Sequence, residues 1–296
     1  MTGDRQSWRL GEGDEIVPGR RALRLLGGGR RYEAYLAWDE RLHALVVAKV
    51  LRPDQVGDDH ARAALAAEAA LLRELAHPLL LRSFGTEPDG PRPHLVLEQI
   101  EGPRLSTLIR RHGLALEQLL PLGLDVARLL RYLASERVVH LDVKPSNIIM
   151  AGRPRLIDLS VARRMHELRT LDAPVGTDAY MAPEQCEPAR FGLLGPPADV
   201  WGLGATLYDA LAGAPPFAPD GDRFPQLRAR AGRLPRHVPA RLRDLVAECL
   251  APDPAQRPSL ADVEERLQAL VERLPAPRLS RFRPGGSARL RELDRR

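Results

Sequence analysis

The most informative part of the sequence is residues 139–150, which read VHLDVKPSNIIM. Apolar residues stand at both ends and Pro145 disfavours a continuous helix, so the pattern predicts a loop between two buried anchors. Such a loop can direct Asp142, Lys144 and Asn147 towards one point. A carboxylate, an ammonium group and an amide oxygen together suit proton acceptance from a hydroxyl, neutralisation of a phosphate and ligation of a hard cation.

A second acid, Asp158, follows Asn147 by eleven residues and ends a short apolar strand that begins at Arg155. Lysine occurs only as Lys49 and Lys144, asparagine occurs only once, and arginine supplies the other positive side-chain charge. A compact ammonium that contacts phosphate as a point charge is poorly replaced by a broad planar guanidinium. We therefore interpret both lysines as functional residues rather than as stray surface charges.

Residues 140–147, HLDVKPSN, and residues 157–160, IDLS, resemble the catalytic loop and the metal-binding segment of the eukaryotic-like (Hanks-type) bacterial serine/threonine protein kinases. The family usually has arginine where this chain has Leu141, and phenylalanine and glycine where it has Leu159 and Ser160. The resemblance implies a bilobal α+β fold and an enzyme that uses ATP and Mg²⁺.

Carried over to this chain, the resemblance implies roles for four residues around the phosphoryl group. Asp142 would orient the substrate hydroxyl or accept its proton, and Lys144 would neutralise charge on the transferred group. Asn147 and Asp158 would hold Mg²⁺. A lysine at position 144 also indicates a serine or threonine acceptor in a protein, because small-molecule kinases with a similar core generally lack it. Thr177 is expected close to the acceptor hydroxyl.

Residues 46–49, VVAK, resemble the strand that carries the phosphate-binding lysine of the family, here Lys49. Its partner would be Glu68, which lies on the predicted following helix ten residues before Pro78. Glu74 is the competing candidate, and the family spacing disfavours it.

A triplet of glycines precedes a predicted strand, and by itself it could be a simple flexible turn. Residues 33–37, EAYLA, match the second strand of the family, which makes Gly27 and Gly29 the first two glycines of the phosphate-covering loop. Tyr32 replaces the third glycine, so we expect a bulkier and stiffer loop than usual.

The segment after the last predicted strand of the sheet resembles the hinge of the family. The backbone groups of Glu98 and Ile100 would meet the adenine edge, and Leu97 would occupy the gatekeeper position. This assignment rests on position alone, since backbone contacts leave little sequence signature.

Strand patterns and one helix occupy the first third of the chain, and helical patterns dominate from Leu105 onward. This segregation predicts an α+β protein with a small antiparallel-sheet N-lobe and a larger helical C-lobe. The expected units are a loosely ordered lead-in (1–19), the N-lobe (20–98), a hinge (99–104), the C-lobe (105–274) and a basic, disordered tail (275–296).

Bulk properties restrict the other classes of function. The net charge is +5, and much of the excess lies in the basic tail, so no nucleic-acid-binding stripe is indicated for the body of the protein. The only cysteines, Cys186 and Cys249, suit a reducing cytosol. No signal peptide or membrane span is recognisable, so we expect a cytoplasmic protein. The oligomeric state stays open.

The departures from the family pattern lead to expectations of their own. Leu141 replaces the arginine that usually receives the activation-loop phosphate, so we expect activity without loop phosphorylation, despite Thr170 and Thr177 as possible acceptors. Ser160 should restrict the backbone beside Asp158. The same departures leave one alternative open, a catalytically weak or inactive pseudokinase that acts as a nucleotide-binding scaffold.

Two further resemblances concern the scaffold of the predicted C-lobe. Residues 199–204, DVWGLG, resemble the central helix that anchors the catalytic loop. Glu184 and Arg257 are placed like the buried ion pair of the family.

Overall fold

The computed structural model describes residues 6–191, 194–217 and 223–275. Its first part is a six-stranded antiparallel sheet with one helix, in the strand order β1-β2-β3-β4-β6-β5. The elements are β1 (Glu15–Val17), β2 (Arg20–Gly28), β3 (Tyr32–Asp39), β4 (Ala44–Leu51), α1 (Asp59–Glu74), β5 (Ser83–Glu87) and β6 (His94–Glu98).

The second part is mainly helical and follows residue 104. Its elements are α2 (Leu105–His112), α3 (Leu116–Ser135), β7 (Val138–Val139), β8 (Ile148–Ala151), β9 (Arg153–Leu156), β10 (Arg163–Arg164), α4 (Pro183–Cys186), α5 (Pro188–Phe191), α6 (Pro196–Ala212), α7 (Ala240–Cys249) and α8 (Leu260–Val271). Two short antiparallel ribbons, β7 with β10 and β8 with β9, lie between the helices. The predicted α+β class is confirmed.

Helix α1 places an acid beneath the sheet. The Asp58 side chain caps its first turn by accepting hydrogen bonds from the backbone N–H groups of His60 and Ala61. Its leucines, among them Leu65 and Leu72, are buried and fix the orientation of the helix. Glu68 shares this inward face and is only 1% exposed. A buried carboxylate requires a charged or hydrogen-bonding partner.

Helix α6 is the centre of the helical part. Trp201 is fully buried and stacks on Phe217 with ring centroids 5.4 Å apart. Near the start of the helix, the Asp199 carboxylate accepts hydrogen bonds from the backbone N–H groups of His140 and Leu141, each at 2.8 Å. Burial raises the pKa of Asp199 to about 7, although both N–H groups counteract it. The loop of residues 139–150 is thereby fixed to the core.

The expectation of a loosely ordered lead-in is wrong for the residues of that segment that the structure describes. Strand β1 pairs with β2, and the Trp8 indole N–H donates to the Leu51 carbonyl at 2.7 Å. The Trp8 backbone N–H donates to Glu33, and the Arg92 guanidinium covers the indole ring. Aromatic burial therefore orders this segment against the sheet, despite its polar composition.

Two parts of the predicted ends lie outside the described residues. These are residues 1–5 of the lead-in and residues 276–296 of the basic tail. In the described parts of the chain, no helix is long and apolar enough to cross a membrane.

Candidate active site

Lys49 on β4 is the meeting point of the sheet, helix α1 and the segment after β9. Its Nζ lies 2.9 and 2.8 Å from the two carboxylate oxygens of Glu68 and 2.8 Å from Asp158 Oδ1. Glu74, the competing candidate, is paired with Arg164 instead. The structure therefore brings Glu68 to Lys49, at the spacing that the sequence favoured.

The charged groups of this cluster shift one another's pKa values. Burial acts to lower the pKa of Lys49, but the carboxylates of Glu68 and Asp158 outweigh it and raise that pKa. Burial acts to raise the pKa of Asp158, but the Lys49 ammonium outweighs it and holds that pKa well below its usual range. Burial raises the pKa of Glu68, so the carboxylate that stays ionised in this cluster is that of Asp158, and such a group suits an added cation.

The loop of residues 139–150 gathers a second cluster around Asp142. Lys144 Nζ lies 2.6 Å from Asp142 Oδ2, and the Asn147 side-chain nitrogen donates to the Asp142 carbonyl and to Oδ2, each at 3.0 Å. The 3-10 turn Pro145–Asn147 brings the amide back onto the acid. The three side chains therefore converge, and Asn147 keeps its side-chain oxygen as a potential cation ligand.

Thr177 joins the second cluster from the segment before α4. Its hydroxyl donates to Asp142 Oδ1 at 2.7 Å, and Lys144 Nζ donates to the same hydroxyl oxygen. The preceding Gly176 has φ of +122°, and a Cβ at that position would lie 2.8 Å from the Leu141 carbonyl oxygen. Only glycine fits this close approach without displacement of the loop.

Two non-glycine residues of the site have left-handed backbone conformations. Leu141 has φ of +64° and Asp158 has φ of +71°. Such conformations are costly and concentrate at functional sites. Asp199 holds the Leu141 N–H, and the Gln185 side-chain nitrogen donates to the Leu141 carbonyl at 2.7 Å. Sequence reasoning did not identify Gln185, since a buried amide beside Pro183 carries no distinct signal.

A cleft of about 1150 Å³ separates the sheet from the helical part. The sequence-predicted residues that line it are Gly27, Gly29, Lys49, Glu68, Glu98, Ile100, Lys144, Asn147 and Asp158. Asp142 is not among its lining residues and reaches the cleft through its contacts with Lys144 and Asn147. Leu26, Val47 and Leu97 add apolar walls, as a flat heterocycle requires.

The predicted scaffold contacts are also present. The Glu184 carboxylate receives hydrogen bonds from Arg257 Nη1 and Nη2 at 2.6 and 2.8 Å, and neither side chain is exposed to solvent by more than 1%. His140 is completely buried below the loop, and burial lowers its pKa, so its imidazole is neutral. This placement agrees with a structural histidine.

Among the described residues, no three His, Cys, Asp or Glu side chains form a ready metal cluster. A cation in the cleft would therefore need the amide oxygen of Asn147 and oxygens from a ligand in addition to Asp158. Magnesium ions in nucleotide sites are bound in this manner, by one or two protein groups together with phosphates. The donor set thus fits Mg²⁺ delivered with a nucleotide.

Comparison with known proteins agrees with this geometry. The protein kinase domain model matches residues 20–268, and the chain therefore belongs to the protein kinase family. The match excludes residues 6–19, although the structure packs them against the sheet.

Three curated relatives illustrate the similarity. The chain is 32% identical over 207 residues to the serine/threonine-protein kinase PknB of Mycolicibacterium smegmatis, which covers 66% of this chain and 33% of that protein. It is 31% identical over 275 residues to the probable serine/threonine-protein kinase PkwA of Thermomonospora curvata, covering 89% and 36%. It is 30% identical over 246 residues to an Aurora kinase of Dictyostelium discoideum, covering 81% and 63%. The aligned part of the chain spans about a third of the length of PknB and PkwA.

Proposed function

We propose that this chain is a serine/threonine protein kinase, which transfers the γ-phosphoryl group of Mg-ATP to a hydroxyl of a protein substrate. One observation carries the proposal. The Asp142 carboxylate accepts a hydrogen bond from the Thr177 hydroxyl, and the Lys144 ammonium contacts both groups. The site therefore already holds an aliphatic hydroxyl in the manner that a serine or threonine acceptor requires.

Nucleotide binding is assigned to the side of the cleft that the sheet forms. The backbone N–H groups around Gly27 and Gly29 would approach the phosphates closely because no side chain intervenes. Lys49, oriented by Glu68, would pair with the phosphates as a point charge. The adenine ring would lie between the apolar walls, with its polar edge on the backbone of Glu98 and Ile100.

Metal binding is assigned to Asn147 and Asp158 at the base of the cleft. Bound Mg²⁺ supplies charge neutralisation on the phosphate oxygens and fixes their orientation. The low pKa of Asp158 keeps its carboxylate ionised at neutral pH, as a ligand of a hard cation must be.

The transfer step is assigned to Asp142 and Lys144. Asp142 orients the attacking hydroxyl and accepts its proton, while the Lys144 ammonium stabilises the negative charge that shifts during transfer. Asn147 restrains Asp142 by one hydrogen bond to its carboxylate and one to its backbone carbonyl, so the direction of the carboxylate is fixed before substrate arrives. Such preorganisation is the main source of rate enhancement in phosphoryl transfer.

The decisive experiment measures transfer of labelled phosphate from Mg-ATP to a set of serine, threonine and tyrosine peptides. Wild-type protein should label serine or threonine peptides, and Asp142→Asn should abolish labelling while its melting temperature is retained. Asp125→Asn, which alters a partly exposed pair with Arg153, is the matched control and should label normally. Equal labelling by wild type and Asp142→Asn would refute the proposal.

Nothing in the described geometry favours the scaffold alternative. The clusters around Lys49 and Asp142 contain a representative of each group that phosphoryl transfer requires. We propose a cytoplasmic location, and the support is that Cys186 and Cys249 are both free thiols in buried positions. The protein substrate is proposed on the same basis as the activity, and no nucleic-acid partner is proposed.

A further inference from the structure

The side chain of Tyr32 lies in the cleft where the family pattern has a glycine without a side chain. Tyr32 is the first residue of β3 and pairs with Leu51 of β4. Ala34, two residues further on, projects from the same face of the strand, and both residues line the cleft. The side chain therefore points under the phosphate-covering loop that contains Gly27 and Gly29, here called the glycine-rich loop, rather than away from it.

The aromatic ring of Tyr32 contacts the ammonium group that is assigned to the phosphates. Lys49 Nζ lies 4.7 Å from the centre of the ring, within the range of a cation–π interaction. The N–H groups of the same ammonium are directed to Glu68 and Asp158. The ring therefore covers a further side of Lys49 and lies beside the position of its anionic ligand.

The hydroxyl of Tyr32 is a buried polar group without a partner. Its oxygen is shielded from solvent and forms no hydrogen bond with any residue in the described part of the chain. Other tyrosines of this chain differ in this respect, since the Tyr35 and Tyr180 hydroxyls donate to Glu33 and Asp209 at 2.8 and 2.6 Å. An unsatisfied buried hydroxyl is costly, and its retention in a cleft points to a ligand that supplies an acceptor.

We propose that the Tyr32 hydroxyl donates a hydrogen bond to a phosphate oxygen of the bound nucleotide. The inference rests on the proposed nucleotide binding, because a polyphosphate is the ligand that brings several acceptor oxygens next to Lys49. In the family pattern a third glycine lets backbone N–H groups reach the phosphates, and here the Tyr32 hydroxyl takes the place of those contacts. The Tyr32 ring also keeps the Lys49 ammonium next to the same phosphate. It is a phosphate-binding residue rather than an obstacle in the cleft.

The test uses Tyr32→Phe, which keeps the ring and its contact with Lys49 and removes only the oxygen. Isothermal titration of the full chain measures the affinities for Mg-ADP and for adenosine, which lacks phosphate. A hydrogen bond to a charged oxygen predicts about 10- to 100-fold weaker binding of Mg-ADP and unchanged binding of adenosine. The melting temperature of the free variant should be equal or higher, because an unpaired buried hydroxyl has been removed. Tyr208→Phe, on α6, is the matched control and should bind both ligands normally.

Three results would overturn the inference. Unchanged Mg-ADP affinity would show that the hydroxyl has no ligand, and tighter binding would show that Tyr32 obstructs the cleft. Equal weakening for Mg-ADP and adenosine, with a lower melting temperature, would show a purely structural role. Absence of Mg-ADP binding by the wild-type protein would instead refute the nucleotide site itself, and the wild-type titration alone reveals that outcome.

Discussion

Glu184 and Arg257 form two parallel hydrogen bonds, of 2.6 and 2.8 Å, in a position where neither side chain reaches solvent. The guanidinium also donates to backbone carbonyls, including that of Pro197, and it covers the face of Trp201. The pair therefore connects the segment around α4 with helix α6 and with the connection before α8.

Removal of the cation from this pair should destabilise the fold. Arg257→Met leaves the Glu184 carboxylate buried without its partner, and the free energy of unfolding should fall by about 3–5 kcal/mol. Urea unfolding followed by circular dichroism measures the change. The control is Arg128→Met, which removes a partly exposed ion pair with Glu264 and should lower the free energy of unfolding by at most about 1 kcal/mol. Equal losses in the two variants would contradict the role of the buried pair.

Because Leu141 stands where the family usually has arginine, we expect the activity to be independent of phosphorylation of the activation loop. Leu141 is 3% exposed and apolar, so it cannot receive a phosphate. Treatment with a phosphatase, and the substitution Thr170→Ala, should leave the rate of peptide phosphorylation unchanged within about twofold. A large fall after either treatment would show that another cation receives a phosphate on this segment.

The buried His94 predicts a pH-dependent stability of the sheet. His94 lies against Arg20, which is paired with Asp39 at 2.6 Å. Burial is the largest influence and, with the Arg20 charge, holds the pKa of His94 below its usual value, although the hydrogen bond to the Arg92 carbonyl counteracts it. The unfolded state therefore binds a proton at a higher pH than the folded state. Stability should fall as pH decreases below about 6.5, the ordinary value for histidine.

Urea unfolding between neutral and mildly acidic pH measures this effect. His94→Gln, which keeps a hydrogen-bonding side chain, should reduce the loss of stability on acidification. The exposed His60→Gln is the control and should retain the wild-type dependence. Identical pH dependence in wild type and His94→Gln would show that His94 does not contribute.

Residues 6–10, which lie outside the region matched by the family model, contact the glycine-rich loop through Arg52, and we expect them to influence its position. Arg52 donates to the carbonyls of Gly29 and Gln6, at 2.9 and 3.1 Å, and it also pairs with the buried Glu33. Trp8 closes this arrangement, because its indole N–H donates to the Leu51 carbonyl and so holds the Trp8 backbone N–H on Glu33. Trp8→Ala should therefore raise the KM for ATP several-fold with little change in kcat, which corresponds to a loss of about 1 kcal/mol in the free energy of ATP binding.

Steady-state kinetics at varied ATP concentration separates the two constants. Arg9→Ala, an exposed change in the same segment, serves as the control. A fall in kcat without a change in KM would argue against a role in nucleotide binding.

The sequence predicted the parts of the site that lie close together in the chain. The convergence of Asp142, Lys144 and Asn147 follows from their spacing around Pro145, and the pairing of Lys49 with Glu68 follows from family spacing. The first feature depends on a short segment whose conformation is largely local, and the second was available only through the resemblance to the family.

Other features could not be predicted because they depend on contacts between distant segments. Glu33 looks like an exposed strand residue in the sequence, yet it is 1% exposed because Trp8 and Arg52 enclose it. The left-handed conformation of Leu141 is maintained by Asp199. It could not be predicted from the residue type, because leucine normally avoids this conformation. Neither contact leaves a periodic or compositional signal.

We propose that the two lysines of this chain converge on one nucleotide at positions where arginine cannot replace them. Transfer of phosphate from Mg-ATP to a threonine peptide should fall by about a hundredfold or more in both Lys49→Arg and Lys144→Arg, because a guanidinium cannot fit either cluster as a point charge. The exposed exchange Arg241→Lys should have no effect. Wild-type transfer rates in both lysine variants would contradict a shared role of the two lysines in phosphate transfer.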